Sequence, residues 1–259
     1  MKCRGLLVDI DGVVVTSWEP IEGSVAALAR LRAAGMPLRF VTNTTSLGAA
    51  EIVEMLRGIG VDLEAGDLIT AGVATANLVR RDHPGARCLV LNDGSMADLT
   101  GISTVDPDDW RLADVVVIGS GGHSFTWEHL NAALRALQNG AALVAMHGSV
   151  IWSTASGVCL DAGAYAEMLG FAAGNQAVVV GKPAPELFVS ACESMGVVPA
   201  EAVMVGDDLH SDVLAAQQVG ITGVLVHTGK FRPAQLAGAP PPDHLVESLA
   251  GVPDLLGVA

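Results

Sequence analysis

The chain has 259 residues, 51% of them apolar, and a formal net charge of −14 from 28 acidic against 14 basic side chains. That balance argues against nucleic-acid partners, because phosphate backbones are held by clustered Lys and Arg. No apolar run approaches the ~20 residues of a membrane-spanning helix. Lys2 and Arg4 precede an apolar stretch that Asp9 and Asp11 interrupt, so no secretory leader is expected. Cys3, Cys88, Cys159 and Cys192 show no paired spacing and read as thiols of a reducing, cytoplasmic compartment.

Strand-like runs alternate with amphipathic helical stretches along the whole chain, the pattern of parallel β units with helical crossovers. "GLLVDID" (5–11) predicts a strand and "GSVAALARLRAAG" (23–35) a helix stopped by Gly35. A strand at 37–43, a helix at 47–60 and a strand at 67–72 follow. Residues 73–179 carry a set of their own, with helices near 73–81, 127–140 and 162–170 and strands at 87–93, 113–119 and 142–147. They predict an inserted α/β subdomain within a core made of 1–72 and 180–259. The core resumes with a helix at 185–196, a strand at 202–208, a helix at 211–220 and a strand at 222–229. The fold class is α/β, with a doubly wound, Rossmann-like parallel sheet.

Polar residues gather where these strands end. Asp9 and Asp11 close the first strand, Thr42 and Asn43 the second, and Asp207 and Asp208 end the strand at 202–208, with Asp212 four residues beyond. Lys182 stands before a helix start marked by Pro183 and Pro185. Turn chemistry explains any one cluster, and Asp-Gly at 11–12 is a common turn signal. All four fall at positions that a doubly wound sheet would gather into one crevice, and open parallel sheets bind ligands at their strand carboxyl ends. Carboxylates at Asp9 and Asp207 suit Mg²⁺. Thr42 and Lys182 offer a hydroxyl and an ammonium to phosphate oxygens, and the helix after Asn43 adds backbone amides. Asp9 can attack phosphorus, and Asp11 can protonate a leaving oxygen and later deprotonate water.

"DIDGVV" (9–14), "VTNTT" (41–45), "GKP" (181–183) and "GDDLHSD" (206–212) resemble, in order, the four motifs of the haloacid dehalogenase superfamily. The insert resembles the C2-type cap of its NagD-like branch, as does the ending "VHTGKFRP" (226–233). The chain is similar to haloacid dehalogenase-like hydrolase domain proteins and to phospholysine/phosphohistidine inorganic pyrophosphate phosphatases. The resemblance implies Asp9 as nucleophile and Mg²⁺ ligand. It implies Asp11 as general acid/base and as a ligand through its backbone carbonyl. Thr42, Asn43 and Lys182 would hold the phosphate and Asp207 would complete the metal ligands, with Asp208 and Asp212 as candidates for orienting metal-bound water from outside them.

The expected activity is Mg²⁺-dependent hydrolysis of a small phosphorylated metabolite through an aspartyl-phosphate, with the cap choosing the substrate. His147, Trp152 and Asp161 are the specificity candidates, within a segment (147–169) read as a loop between a strand and a helix. A homodimer is left open. Two alternatives share the same kind of core: a receiver-like module that only accepts a phosphoryl group, and a dehalogenase. Receivers lack a large insert, and a dehalogenase has no need of Asp11.

Overall fold

In the computed structural model, which describes residues 3–154 and 157–258 (the side chains of 152–154 and 158 excepted), the first apolar run is strand β1 (Gly5–Asp9). A short ribbon of β2 (Val15–Thr16) and β3 (Glu19–Pro20) leads to α1 (Ser24–Ala33), β4 (Leu38–Thr42), α2 (Ala49–Gly58) and β5 (Leu68–Thr70). There follow α3 (Ala71–Asp82), β6 (Arg87–Leu91), β7 (Ser103–Val105), β8 (Val115–Ile118), α4 (Trp127–Gln138) and β9 (Ala142–Ala145). The hairpin β10 (Ile151–Thr154) and β11 (Gly157–Leu160), α5 (Ala162–Ala173) and β12 (Val178–Val179) come next. The chain ends with α6 (Pro185–Ser194), β13 (Ala202–Gly206), α7 (Ala215–Gln218), β14 (Thr222–Val226), β15 (His244–Val246) and α8 (Val252–Leu255).

Contacts divide the chain into two units. The first comprises 1–42, 50–69 and 182–259, and the second 43–49 and 70–181. The first holds a six-stranded sheet in the order β15-β14-β13-β1-β4-β5. Every residue of β1 and of β13 is buried, as expected of central parallel strands covered on both faces. On α1 the buried positions Ser24, Ala27, Leu28 and Leu31 follow helical spacing, which turns one stripe of the helix inward.

The second unit is built on a parallel sheet in the order β12-β9-β8-β6-β7. Strand alternation sorts its side chains. Leu89, Leu91, Val116 and Ile118 pack on α4 and α5, while Cys88, Val115 and Val117 pack with Ala76 and Val79 of α3 on the opposite face. Thr70, Thr126 and Asp161 cap α3, α4 and α5, each accepting a backbone N–H of the first turn. Residues 43–49 join this unit through specific bonds. Ser95 N–H donates to the Thr45 carbonyl (2.9 Å), the Thr45 and Ser120 hydroxyls meet at 2.7 Å, and Ala49 N–H donates to Asp98 Oδ1 (2.8 Å).

The reading of 147–169 as a loop is corrected. Ile151–Thr154 and Gly157–Leu160 pair antiparallel, with Ile151 opposite Leu160. The β-branched and aromatic character of "IWST" suits a strand, and an antiparallel partner a few residues away supplies the hydrogen bonds that the segment lacks by itself.

Candidate active site

Three adjacent strand ends of the first sheet converge. The parallel register sets Asp9 opposite Val41 and Val8 opposite Val205, which brings Asp9, Thr42 and Asp207 to neighbouring carboxyl ends of β1, β4 and β13. All three residues are buried.

Lys182 binds this region together. Its Nζ lies 2.7 Å from Asp9 Oδ1 and 2.7 Å from Asp212 Oδ1, and the residue is only 4% exposed. Burial pulls the lysine pKa down, but the charges of Asp212 and Asp9 outweigh it and hold the ammonium above its ordinary range. Asp9 Oδ1 also accepts the Ile10 N–H (2.8 Å). Both bonds fall on Oδ1.

Asp11 is exposed, in a tight turn where Gly12 N–H donates to the Val15 carbonyl (2.7 Å). The N–H groups of Val13, Val14 and Val15 converge on the carbonyl of Ile10 (3.3, 2.9 and 3.1 Å). Gly12 takes a φ of 80°, a conformation glycine adopts without steric cost. A side chain there would also collide with Asp207 Oδ2 and reach within 2.9 Å of the Gly229 Cα.

One carboxylate oxygen each from Asp9, Asp207 and Asp212 lie within 4.8 Å of one another. Asp212, expected from the sequence to act from outside the metal ligands, stands in this cluster and pairs with Lys182. Asp208 does local work: its Oδ1 accepts the N–H groups of His210 and Ser211 (3.0 Å each) and caps the helical segment Leu209–Leu214. Asp207 Oδ2 accepts the Lys230 N–H (2.6 Å), while its Oδ1 is buried with no hydrogen-bond partner. Burial first, then the charges of Asp9 and Asp212, push the Asp207 carboxyl up to about 7. Burial likewise raises Asp212, to about 6, against the opposing pull of Lys182.

These carboxylates fit a hard divalent cation. Three of them cluster, Asp9 and Asp212 share the one buried Lys182 ammonium, and the Asp207 Oδ1, buried without a hydrogen-bond partner, is an oxygen donor suited to a cation. Lys230 and the facing glycines 12 and 229 were not assigned roles from the sequence. The motif "TGK" at 228–230 was the available signal.

The remaining candidates belong to the second unit. Asn43 turns its Oδ1 toward Gly181, where a Cβ would lie 2.6 Å away. His147 and Asp161 are buried as a pair, Nε2 to Oδ1 at 3.7 Å, with Asp161 accepting the Ala162 N–H (2.9 Å) at the start of α5. Trp152 lies on β10, and its side chain is outside the described residues.

A family model described as haloacid dehalogenase-like hydrolase matches residues 6–100, and one described as HAD-hydrolase-like matches 179–252. The human haloacid dehalogenase-like hydrolase domain-containing protein 2 is 37% identical over 94% of this chain and 92% of its own. The chain belongs to the haloacid dehalogenase-like hydrolases. The bovine phospholysine phosphohistidine inorganic pyrophosphate phosphatase is 36% identical over 98% of this chain and 94% of its own. Among solved structures, a p-nitrophenyl phosphatase from Archaeoglobus fulgidus superimposes with a TM-score of 0.90 (27% identity, 98% of this chain, 100% of that one). NagD from E. coli K-12 gives 0.86 (26% identity, 96% and 97%). This protein is thus a NagD-like hydrolytic enzyme of that family, with its parallel-sheet α/β core. Among the described residues no helix is long and apolar enough to cross a membrane.

Proposed function

We propose that this hydrolase is a Mg²⁺-dependent phosphatase that acts on small phosphate monoesters through an aspartyl-phosphate at Asp9. The observation that carries the reading is Asp9 itself. It is a buried strand-end carboxylate whose Oδ1 is held by the Ile10 amide and Lys182, beside two further carboxylates that suit a cation. The phosphatase names of two of the relatives above support it.

Asp9, Asp207 and Asp212, with the backbone carbonyl of Asp11, are the candidates to hold Mg²⁺. Bound there, the ion would neutralise phosphoryl oxygens and stabilise charge on them. Asp9 Oδ2 forms the new bond to phosphorus while the ester P–O bond breaks. Asp11, exposed one turn away, gives its proton to the departing oxygen. The resulting Asp11 carboxylate then takes a proton from water, the hydroxyl oxygen bonds to phosphorus, and the bond to Asp9 breaks to release inorganic phosphate. Lys182 keeps Asp9 oriented throughout, and Thr42 with Asn43 offers donors to the phosphoryl oxygens. Because these groups address only the phosphoryl group, we assign choice among small phosphorylated metabolites to the inserted unit, with His147, Trp152 and Asp161 as its candidates.

The test is release of phosphate from p-nitrophenyl phosphate with Mg²⁺ present. Asp9→Asn should lower kcat about 10³-fold or more with its circular dichroism unchanged. A folded variant that keeps more than about a tenth of the wild-type rate would remove Asp9 as nucleophile.

A further inference from the structure

Thr228 lies beyond the end of β14, which is separated from β1 by β13. Its hydroxyl nevertheless donates to the carbonyl of Gly12, in the turn that follows β1, at 2.5 Å. To make that bond, the loop after β14 has to pass over the carboxyl end of β13, where Asp207 stands. The crossing is close. Gly229, at φ 61°, faces Gly12 so nearly that a Cβ on it would lie 2.6 Å from the Gly12 Cα and would strike Asp207 Oδ2. The next residue, Lys230, donates its backbone N–H to that same Oδ2 at 2.6 Å. The two oxygens of Asp207 are thereby made unequal: Oδ2 is enclosed by two glycines and one amide, and Oδ1 is left buried without a partner.

We propose that Thr228 is the positioning residue of this arrangement, resting on the reading of Asp207 as a Mg²⁺ ligand. Its hydroxyl latches the 228–230 loop onto the nucleophile turn and so holds the Lys230 amide against Asp207 Oδ2, which would leave Oδ1 as the oxygen to take the cation. A carboxylate held by one oxygen cannot rotate its other oxygen away, so the ligand is set before the ion arrives. Without the latch the loop is free to lift, the amide withdraws, and Asp207 loses its orientation. Partners of metal ligands of this kind typically carry about 10-fold or more of metal affinity.

The experiment is calorimetric titration of the metal-stripped full chain with Mg²⁺, in the wild type, T228V and T228S. T228V keeps the shape and lacks the donor, and should raise the Mg²⁺ Kd about 10-fold. T228S restores the hydroxyl and should bind within about 2-fold of wild type. If T228V fails to fold by circular dichroism, T228A takes its place with the same expectation. A hydroxyl that served only the fold would lower the melting temperature and leave the Kd alone, and an unchanged Kd overturns the proposal. So does a T228S protein that binds as weakly as T228V. Wild-type protein that binds no Mg²⁺ would overturn the metal reading as well, which separates the two failures.

Discussion

Lys182 bridges Asp9 and Asp212 from a position sealed off from solvent, so its removal leaves carboxylates buried without their countercharge. Breaking a buried pair in this way usually costs about 3–5 kcal/mol. Lys182→Met should be destabilised by about that much relative to wild type in urea unfolding with EDTA present. Saturating Mg²⁺ should recover part of the loss, because the cation supplies the positive charge that the variant lacks. A loss below about 1 kcal/mol would mean that water or protonation already satisfies the cluster. The lysine was legible in the sequence as a lone cation before a helix. What it touches was not, since Asp212 lies thirty positions away and a bridge across two loops has no local pattern.

Asp67 ties three elements of the first unit together. It accepts Arg32 of α1 (2.6 Å), Arg39 of β4 (3.3 Å) and the backbone N–H of Glu64 (3.0 Å), just before β5 begins. Burial alone would raise its pKa, but the Glu64 amide and the two guanidinium groups outweigh burial and hold it below the ordinary value. A depressed carboxylate adds stability that is fully present above the unfolded pKa of about 4 and is lost as pH falls through the lower folded value. Asp67→Asn should therefore cost about 1 kcal/mol at pH 7, with the gap to wild type narrowing as pH falls below about 4. Urea midpoints measured across that range decide it, and a gap independent of pH would rule out the ion pairs as its source. At this level the alternating run of strands and helices was readable from periodicity. The hairpin β10–β11 and the two-residue strand β12 were not, because such short strands are made by their partners rather than by their own pattern.

Each unit has its own sheet and its own apolar core, and among the described residues the carboxylate cluster lies in the first. A cation bound there should stabilise that unit. At 100 times its Kd, Mg²⁺ contributes about 2.7 kcal/mol, which for a unit of this size is a rise of roughly 5–10 °C in melting temperature. EDTA should reverse the rise, and hydrogen exchange should locate the gained protection in β1 and β13 rather than in β6, β8 and β9. Protection gained in the second sheet instead, or no shift at all, would count against a cation at Asp9, Asp207 and Asp212.

The α/β class, the core sheet and the residues that close its strands were all written locally: apolar runs of strand length, helix stops at glycine, and polar residues one step beyond each run. That information survives in a single sequence because backbone geometry and burial act on neighbouring residues. The placement of Asp212 in the carboxylate cluster, the unequal oxygens of Asp207 and the reach of Thr228 to Gly12 depend on strand order. The sheet sets β14 two places from β1 and forces the loop between them across Asp207. The allegiance of 43–49 is of the same kind, since it rests on Ser95, Asp98 and Ser120, partners 49 to 75 positions further along for the side-chain bonds. Contacts between residues so far apart exist only once the chain has closed on itself, and the packing of the whole sheet, not any local preference, selects them.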